Sequence, residues 1–224
     1  MIVVAVPVKD LTSAKQRLTP ALSARQRAEL AAAMLDDVLR AVLAAPVDAV
    51  WVVTREPQVA TVARRLGAEI LSEPANEGHT AAVARAQAEA RRRGVSTFLT
   101  VPGDVPCVRP AEIAVLAAAA AKARAAVFVP SRSGAGTNGV ALTPPHAMPL
   151  TFGEPSFANH LATAHRHGLE PCVLALSGLS LDIDDPDDLH MLMTDGRQTD
   201  SGRLLAAWGQ GRPSWRDAVP AAVD

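Results

Sequence analysis

The chain has 224 residues, a formal net charge of -1, 49% hydrophobic residues and only 3% aromatic ones, with no tyrosine. That length suits one large α/β domain, and the near-neutral charge excludes a global basic field for nucleic acid or anionic lipid. Phe and Trp are too few and scattered to stack bases, and Arg, Asp, Glu and Pro break every apolar stretch short of membrane-spanning length. Cys107 and Cys172 stand far apart and form neither a disulfide framework nor a zinc-ligand pattern. They are expected to be reduced core thiols of a cytoplasmic protein, with no charged leader before the first strand-like run.

In chain order, the β-branched run at residues 2–8 predicts a first strand buried on both faces. Ser23 is placed to cap a helix running to about residue 45, and residues 49–54 predict the second strand. Pro57 suits the first turn of the next helix. A short strand follows at 68–71, then a helix at 80–93 closed by Gly94, a strand at 97–101, a helix at 110–122 and a strand at 125–130. Beyond Pro130 the rhythm breaks, and residues 139–143, 152–168, 172–176 and 186–193 read as strand, helix, strand and helix. The alternation predicts a three-layer α/β fold with a mostly parallel sheet covered on both faces. Residues 1–194 are expected to form a single domain, and the Gly-, Pro-, Arg- and Asp-rich residues 195–224 a loosely attached tail.

Four segments could carry chemistry, each at a loop or strand end where open α/β sheets present their ligand sites. Lys9, Lys15 and Arg17 follow the first strand, where they either neutralise a phosphate chain or form a solvated basic loop. Asp104, between Pro102 and Pro106, is either a metal-binding carboxylate at a strand end or a turn residue bonding its own backbone. In the acidic run from Leu181 to Leu189, residues two apart face one way in extended chain, so Asp182 and Asp184 project together. Paired carboxylates favour a hard cation such as magnesium, whereas Asp185 before Pro186 suits a helix N-cap, and Asp187 and Asp188 suit the positive first turn.

The fourth segment is Gly134-Ala-Gly136-Thr137-Asn138-Gly139, with Phe152-Gly153 and Ser156-Phe157 after it. The glycine spacing matches a dinucleotide fingerprint, but no helix follows, so the match is spurious. Backbone amides and the Thr137 hydroxyl could approach an anion there, and Ser156 either opens an anion-binding helix or merely caps it. His165 and His167 are two apart on a predicted helix and cannot share a metal.

Taken in order, Lys-x-Arg-Leu, Gly-Asp-x-Pro, Gly-x-Gly-Thr, Phe-Gly-x-x-Ser and Asp-x-Asp-x-Pro-x-Asp-Leu resemble the guanylyltransferases of coenzyme F-420 biosynthesis. The resemblance covers roughly residues 1–193. It implies a glycosyltransferase-A-like nucleotidyltransferase fold and transfer of GMP from GTP to 2-phospho-L-lactate, phosphoenolpyruvate or 3-phospho-D-glycerate. It further implies magnesium at Asp104, Asp182 and Asp184, and the acceptor carboxylate at Thr137, Gly153 and Ser156. The phosphates would meet Lys15 and Arg17, with Lys9 and the loop Gly78, His79 and Thr80 near the nucleotide. Many relatives have Leu-Asn where this chain has His79-Thr80, which leaves base and ribose recognition open. The expected partners are small molecules, with no nucleic acid or membrane, in a monomer or homodimer. Two alternatives stay open: a related nucleotidyltransferase acting on molybdopterin or a sugar phosphate, and a non-catalytic nucleotide-binding module.

Overall fold

The computed structural model describes residues 1–11 and 14–209; Thr12 and Ser13 of the basic segment and tail residues 210–224 lie outside the described residues. Its strands are β1 (Ile2–Pro7), β2 (Ala49–Thr54), β3 (Glu69–Ser72), β4 (Thr97–Thr100), β5 (Ala125–Pro130), β6 (Thr137–Thr143) and β7 (Pro171–Val173). Among the described residues these form one sheet in the order β3-β2-β1-β4-β6-β5-β7. β1 pairs in parallel with β2 and β4, β2 with β3, and β5 with β7, while β6 runs antiparallel to both of its neighbours.

Strand alternation explains the layers. Val4, Val6, Val50 and Val52 face a core shared with Leu35, Val38 and Leu39 of α1 (Ala24–Leu43), Val59 of α2 (Pro57–Leu66) and Ile113 of α4 (Pro110–Ala119). Val3, Ala5, Trp51 and Val53 face the other way, onto Val83 and Ala86 of α3 (His79–Arg92) and Ala164 of α5 (Ser156–Arg166). Both faces are buried, which is why the strands read as continuous apolar runs.

The helix ends follow their sequence signals. Ser23 and Gln26 form a reciprocal capping box at α1, and Gly67 and Gly94 take positive φ after α2 and α3. Two short elements escape the sequence pattern: α6 (Ser177–Ser180), and α8 (Asp200–Gly209), which follows α7 (Pro186–Asp195). The tail expected to be loose from Asp195 therefore begins with a packed helix. Asp37 of α1 accepts hydrogen bonds from the backbone of Asp200 and Ser201 and from the Ser201 hydroxyl, and Leu205 joins a cluster with Leu30, Met34 and Leu192. A Gly- and polar-rich composition concealed a contact made by one distant carboxylate.

The antiparallel β6 positions the site. Thr100 at the end of β4 pairs with Val140, so the start of β6 lies at the same rim as the carboxyl ends of β1 and β4. The strand order reverses between β2-β1 and β1-β4, and this is where doubly wound sheets open a ligand crevice.

Candidate active site

The pocket at this rim is lined by Pro7 to Leu11 after β1, by Ala14 and Lys15, by Pro102 to Asp104 after β4, and by Glu73 and His79. Lys15 is its centre. Its ammonium donates to Asp104 Oδ2 at 2.6 Å and to Asp184 Oδ1 at 2.8 Å, with the lysine side chain only 7% exposed. Burial pulls its pKa down, but the flanking Asp104 and Asp184 outweigh that and hold it above the ordinary lysine value. The Lys15 backbone has φ 58° and ψ 44°, the left-handed region that costs a non-glycine residue roughly 1–2 kcal/mol. Strain of this kind collects where a side chain must be aimed. Sequence reading set Lys15 among phosphate-binding cations and the two aspartates among metal ligands, and the structure brings all three into one contact.

Within the acidic run, Asp185 caps α7, and Asp182 and Asp184 lie before that helix. Leu181 and Ile183 are buried in the core while Asp182 and Asp184 alternate with them, and the Ile183 N–H bonds the Asp104 carbonyl at 3.1 Å. That backbone bond ties the strand-like run to the Gly-Asp-x-Pro turn. Asp182 accepts from Asn138 Nδ2 at 3.0 Å. Its carboxyl is pushed above the usual range by burial, with the Asn138 bond opposing and Asp104 and Asp184 adding to the rise. Asp185 caps α7 by accepting from the N–H groups of Asp187 and Asp188, and Asp188 returns the bond to Asp185 and pairs with Arg132 at 2.8 Å. Among the described residues no three His, Cys, Asp or Glu side chains gather into a preformed metal cage.

Lys9 is exposed and lines the pocket, its Nζ close to Gly78, which has φ 100°. Arg17 is exposed on the 3-10 turn Gln16–Leu18 and does not line the pocket. Burial raises the Glu73 carboxyl above its usual value, with Arg85 and Lys9 opposing. His79 is driven down to about pKa 4, chiefly by burial, with Asp104 opposing and Lys9 assisting. Its ring tilts against Phe152 at 4.4 Å. Thr80 points elsewhere: its hydroxyl accepts from the Phe152 N–H at 2.9 Å and so holds the Phe-Gly-x-x-Ser loop. The His79-Thr80 pair thus joins α3 to the Phe152-Gly153 loop.

On that side, Thr137, at the start of β6, and Ser156, the first residue of α5, are both buried and lie 3.3 Å apart through their hydroxyls. Ser156 is not the N-cap; that position is Pro155, without a side-chain cap bond. Gly153 is exposed with φ 109°. Gly139 of the spurious fingerprint is a strand residue whose added Cβ would strike Leu179 and Val129, so its reason is packing. Sequence reasoning missed Asn138 and His160. His160 carries no motif spacing and touches Thr137 only through the fold.

Among the described residues no helix is long and apolar enough to cross a membrane. Residues 2–210 match the family described as guanylyl transferase CofC like. A phosphoenolpyruvate guanylyltransferase from Conexibacter woesei is 40% identical over 83% of this chain and 84% of its own length. One from Sphaerobacter thermophilus is 42% identical over 84% and 90%. In structure, a protein from Desulfovibrio desulfuricans G20 assigned to the nucleotide-diphospho-sugar transferases superposes with a TM-score of 0.76, at 14% identity, covering 92% of this chain and 94% of that one. Such likeness bears out the expected nucleotidyltransferase fold. The chain belongs to the CofC-like guanylyltransferase family.

Proposed function

We propose that this guanylyltransferase joins GMP from GTP to phosphoenolpyruvate, releasing pyrophosphate, in the biosynthesis of coenzyme F-420. The acceptor follows from the relatives named for phosphoenolpyruvate. The observation that carries the chemistry is the Lys15 ammonium clamped between Asp104 and Asp184 beyond β1 and β4.

An oxygen of the acceptor phosphate attacks the α-phosphorus of GTP. The bond from that phosphorus to the β-bridging oxygen breaks, and its electron pair leaves with pyrophosphate. A phosphate monoester, with a second pKa of about 6, is already largely ionised at neutral pH, so no protein base is needed. Catalysis then rests on alignment and neutralisation of charge. An ammonium has three donors, and Asp104 and Asp184 take two from Lys15, which leaves one for a phosphate oxygen. Lys9 and His79 line the pocket where the nucleotide would lie, with Gly78 beside the Lys9 ammonium. Arg17, exposed and absent from the pocket lining, would meet the phosphates only from outside the pocket. Thr137, Gly153 and Ser156 receive the acceptor carboxylate.

Asp104 and Asp184 suit magnesium, because they already draw one cation between them. Magnesium commonly takes one or two carboxylates and fills its other positions with substrate phosphates and water. Asp182, held by Asn138, would be the third carboxylate. When bound, the ion would supply neutralisation of the triphosphate and the departing pyrophosphate.

A pyrophosphate-release screen of GTP, ATP, CTP and UTP against phosphoenolpyruvate, 2-phospho-L-lactate and 3-phospho-D-glycerate tests this reading. GTP with phosphoenolpyruvate is expected to be fastest. Faster turnover with either other acid would overturn the acceptor, and absence of turnover with every pair would favour a non-catalytic nucleotide-binding module.

A further inference from the structure

The Thr137–Ser156 pair adjoins a histidine that the chemistry above does not use. His160, on the second turn of α5, is 1% exposed. Its ring stacks on Phe128 at 5.6 Å and 6°, and meets Phe152 edge-on at 5.1 Å. Both ring nitrogens are engaged: the Thr151 backbone N–H donates to Nε2 at 3.1 Å, and Nδ1 lies 3.0 Å from Thr137 Oγ1.

The tautomer follows from these partners. A backbone amide can only donate, so Nε2 holds a lone pair and no proton. The neutral ring then carries its proton on Nδ1, and Nδ1–H donates to Thr137 Oγ1. Burial, with His79 adding to it, lowers the pKa to about 4, which keeps the ring neutral in ordinary buffers. The two hydroxyls of Thr137 and Ser156 carry two protons, and the bond between them uses one. Because His160 donates into the pair, it cannot absorb the second proton. One hydroxyl proton is therefore left for a ligand, and the ligand it selects is a hydrogen-bond acceptor.

We propose that His160 is a positioning residue whose Nδ1–H fixes the Thr137–Ser156 pair as an outward donor for the acceptor's carboxylate. The inference rests on reading Thr137 and Ser156 as ligands of that carboxylate. His160 itself touches no substrate. It acts through Thr137, and the packing of its ring on Phe128 and Phe152 sets the direction.

The test is steady-state pyrophosphate release by the full chain, with phosphoenolpyruvate varied at saturating GTP and the reverse. The variants are Thr137→Val, His160→Phe, the double variant and His160→Asn. The phenylalanine keeps the stack on Phe128 and removes both nitrogens; His160→Leu replaces it should that variant not fold. Losing a hydrogen bond to a charged group corresponds to roughly a tenfold or larger effect, so Thr137→Val is expected to raise the acceptor KM by at least that factor. His160→Phe should raise the acceptor KM with the GTP KM unchanged. The double variant should be no worse than Thr137→Val, since both changes remove one donor. His160→Asn, whose amide can donate to Thr137, should recover most of the affinity. Additive losses, a parallel rise in the GTP KM, or an unchanged acceptor KM in His160→Phe beside a weakened Thr137→Val would overturn the role of His160 alone. An unchanged acceptor KM in Thr137→Val would overturn the carboxylate reading and this inference with it.

Discussion

Around Lys15 the site is built from full charges, whereas around Thr137 it is built from neutral donors. The charged side stays half open, with the Asp104 and Asp184 side chains 33% and 44% exposed beside a nearly buried ammonium. Water can stabilise the carboxylates when the pairing is rearranged by an incoming triphosphate. On the neutral side Thr137, Ser156 and His160 are all buried and their polar atoms are bonded. A group there has no solvent to fall back on, so direction is imposed by counting protons. On the proposed reading, one region would handle large changes in charge, and the other would discriminate by geometry.

The comparison breaks most visibly at Asp184. Asp184→Asn keeps the size of the side chain but removes the charge that Lys15 and a divalent cation require, so nearly all turnover should vanish. Its melting temperature should scarcely move, because the position is half exposed. Normal turnover in a folded Asp184→Asn protein would move the chemistry to other carboxylates. Lys15→Met should come next, lowering kcat by about 10²–10³-fold, the range seen when one electrostatic donor is removed from an active site. A change confined to KM would mean that Lys15 only binds.

The neutral side is sharpened by pH. The His160 ring titrates at about 4 when folded against 6.5 unfolded, so the unfolded state binds more protons between those values. Stability from this group is complete above pH 6.5, falls as pH drops through the window, and is about 2 kcal/mol lower by pH 5. Melts from pH 7 to pH 5 should decline less steeply for His160→Phe than for the native chain; equal slopes would mean the ring is solvated. The smallest effect belongs to the cap. Asp185→Ala should cost about 0.5–2 kcal/mol of stability while sparing most activity, because Asp185 bonds only the first turn of α7. A dead Asp185→Ala enzyme would erase the division of the acidic run.

The charged side was more legible in the sequence than the neutral one. Asp182, Asp184 and Asp185 announce themselves through alternation with Leu181 and Ile183 and through the following proline. Strands β2 and β5 could be bounded to the residue because their β-branched runs end at polar residues or proline. The antiparallel direction of β6 was hidden, since a buried strand looks alike whichever way it runs, yet that direction carries Thr137 to the rim. His160 was hidden for the same reason. Its meaning lies in a contact with Thr137 and in Thr151's backbone, and neither leaves a spacing in the chain. Lys15 was recognised as a cation but not as the bridge between two aspartates 89 and 169 positions away.

The division of labour itself is tested most directly by initial rates of pyrophosphate release with both substrates varied, for Thr137→Val and Asp184→Asn side by side. Thr137→Val is predicted to raise the acceptor KM alone, with GTP saturation unchanged. Asp184→Asn is predicted to lose turnover at every concentration of either substrate. Equal disturbance of both KM values by Thr137→Val, or full turnover of Asp184→Asn at high acceptor, would contradict the account.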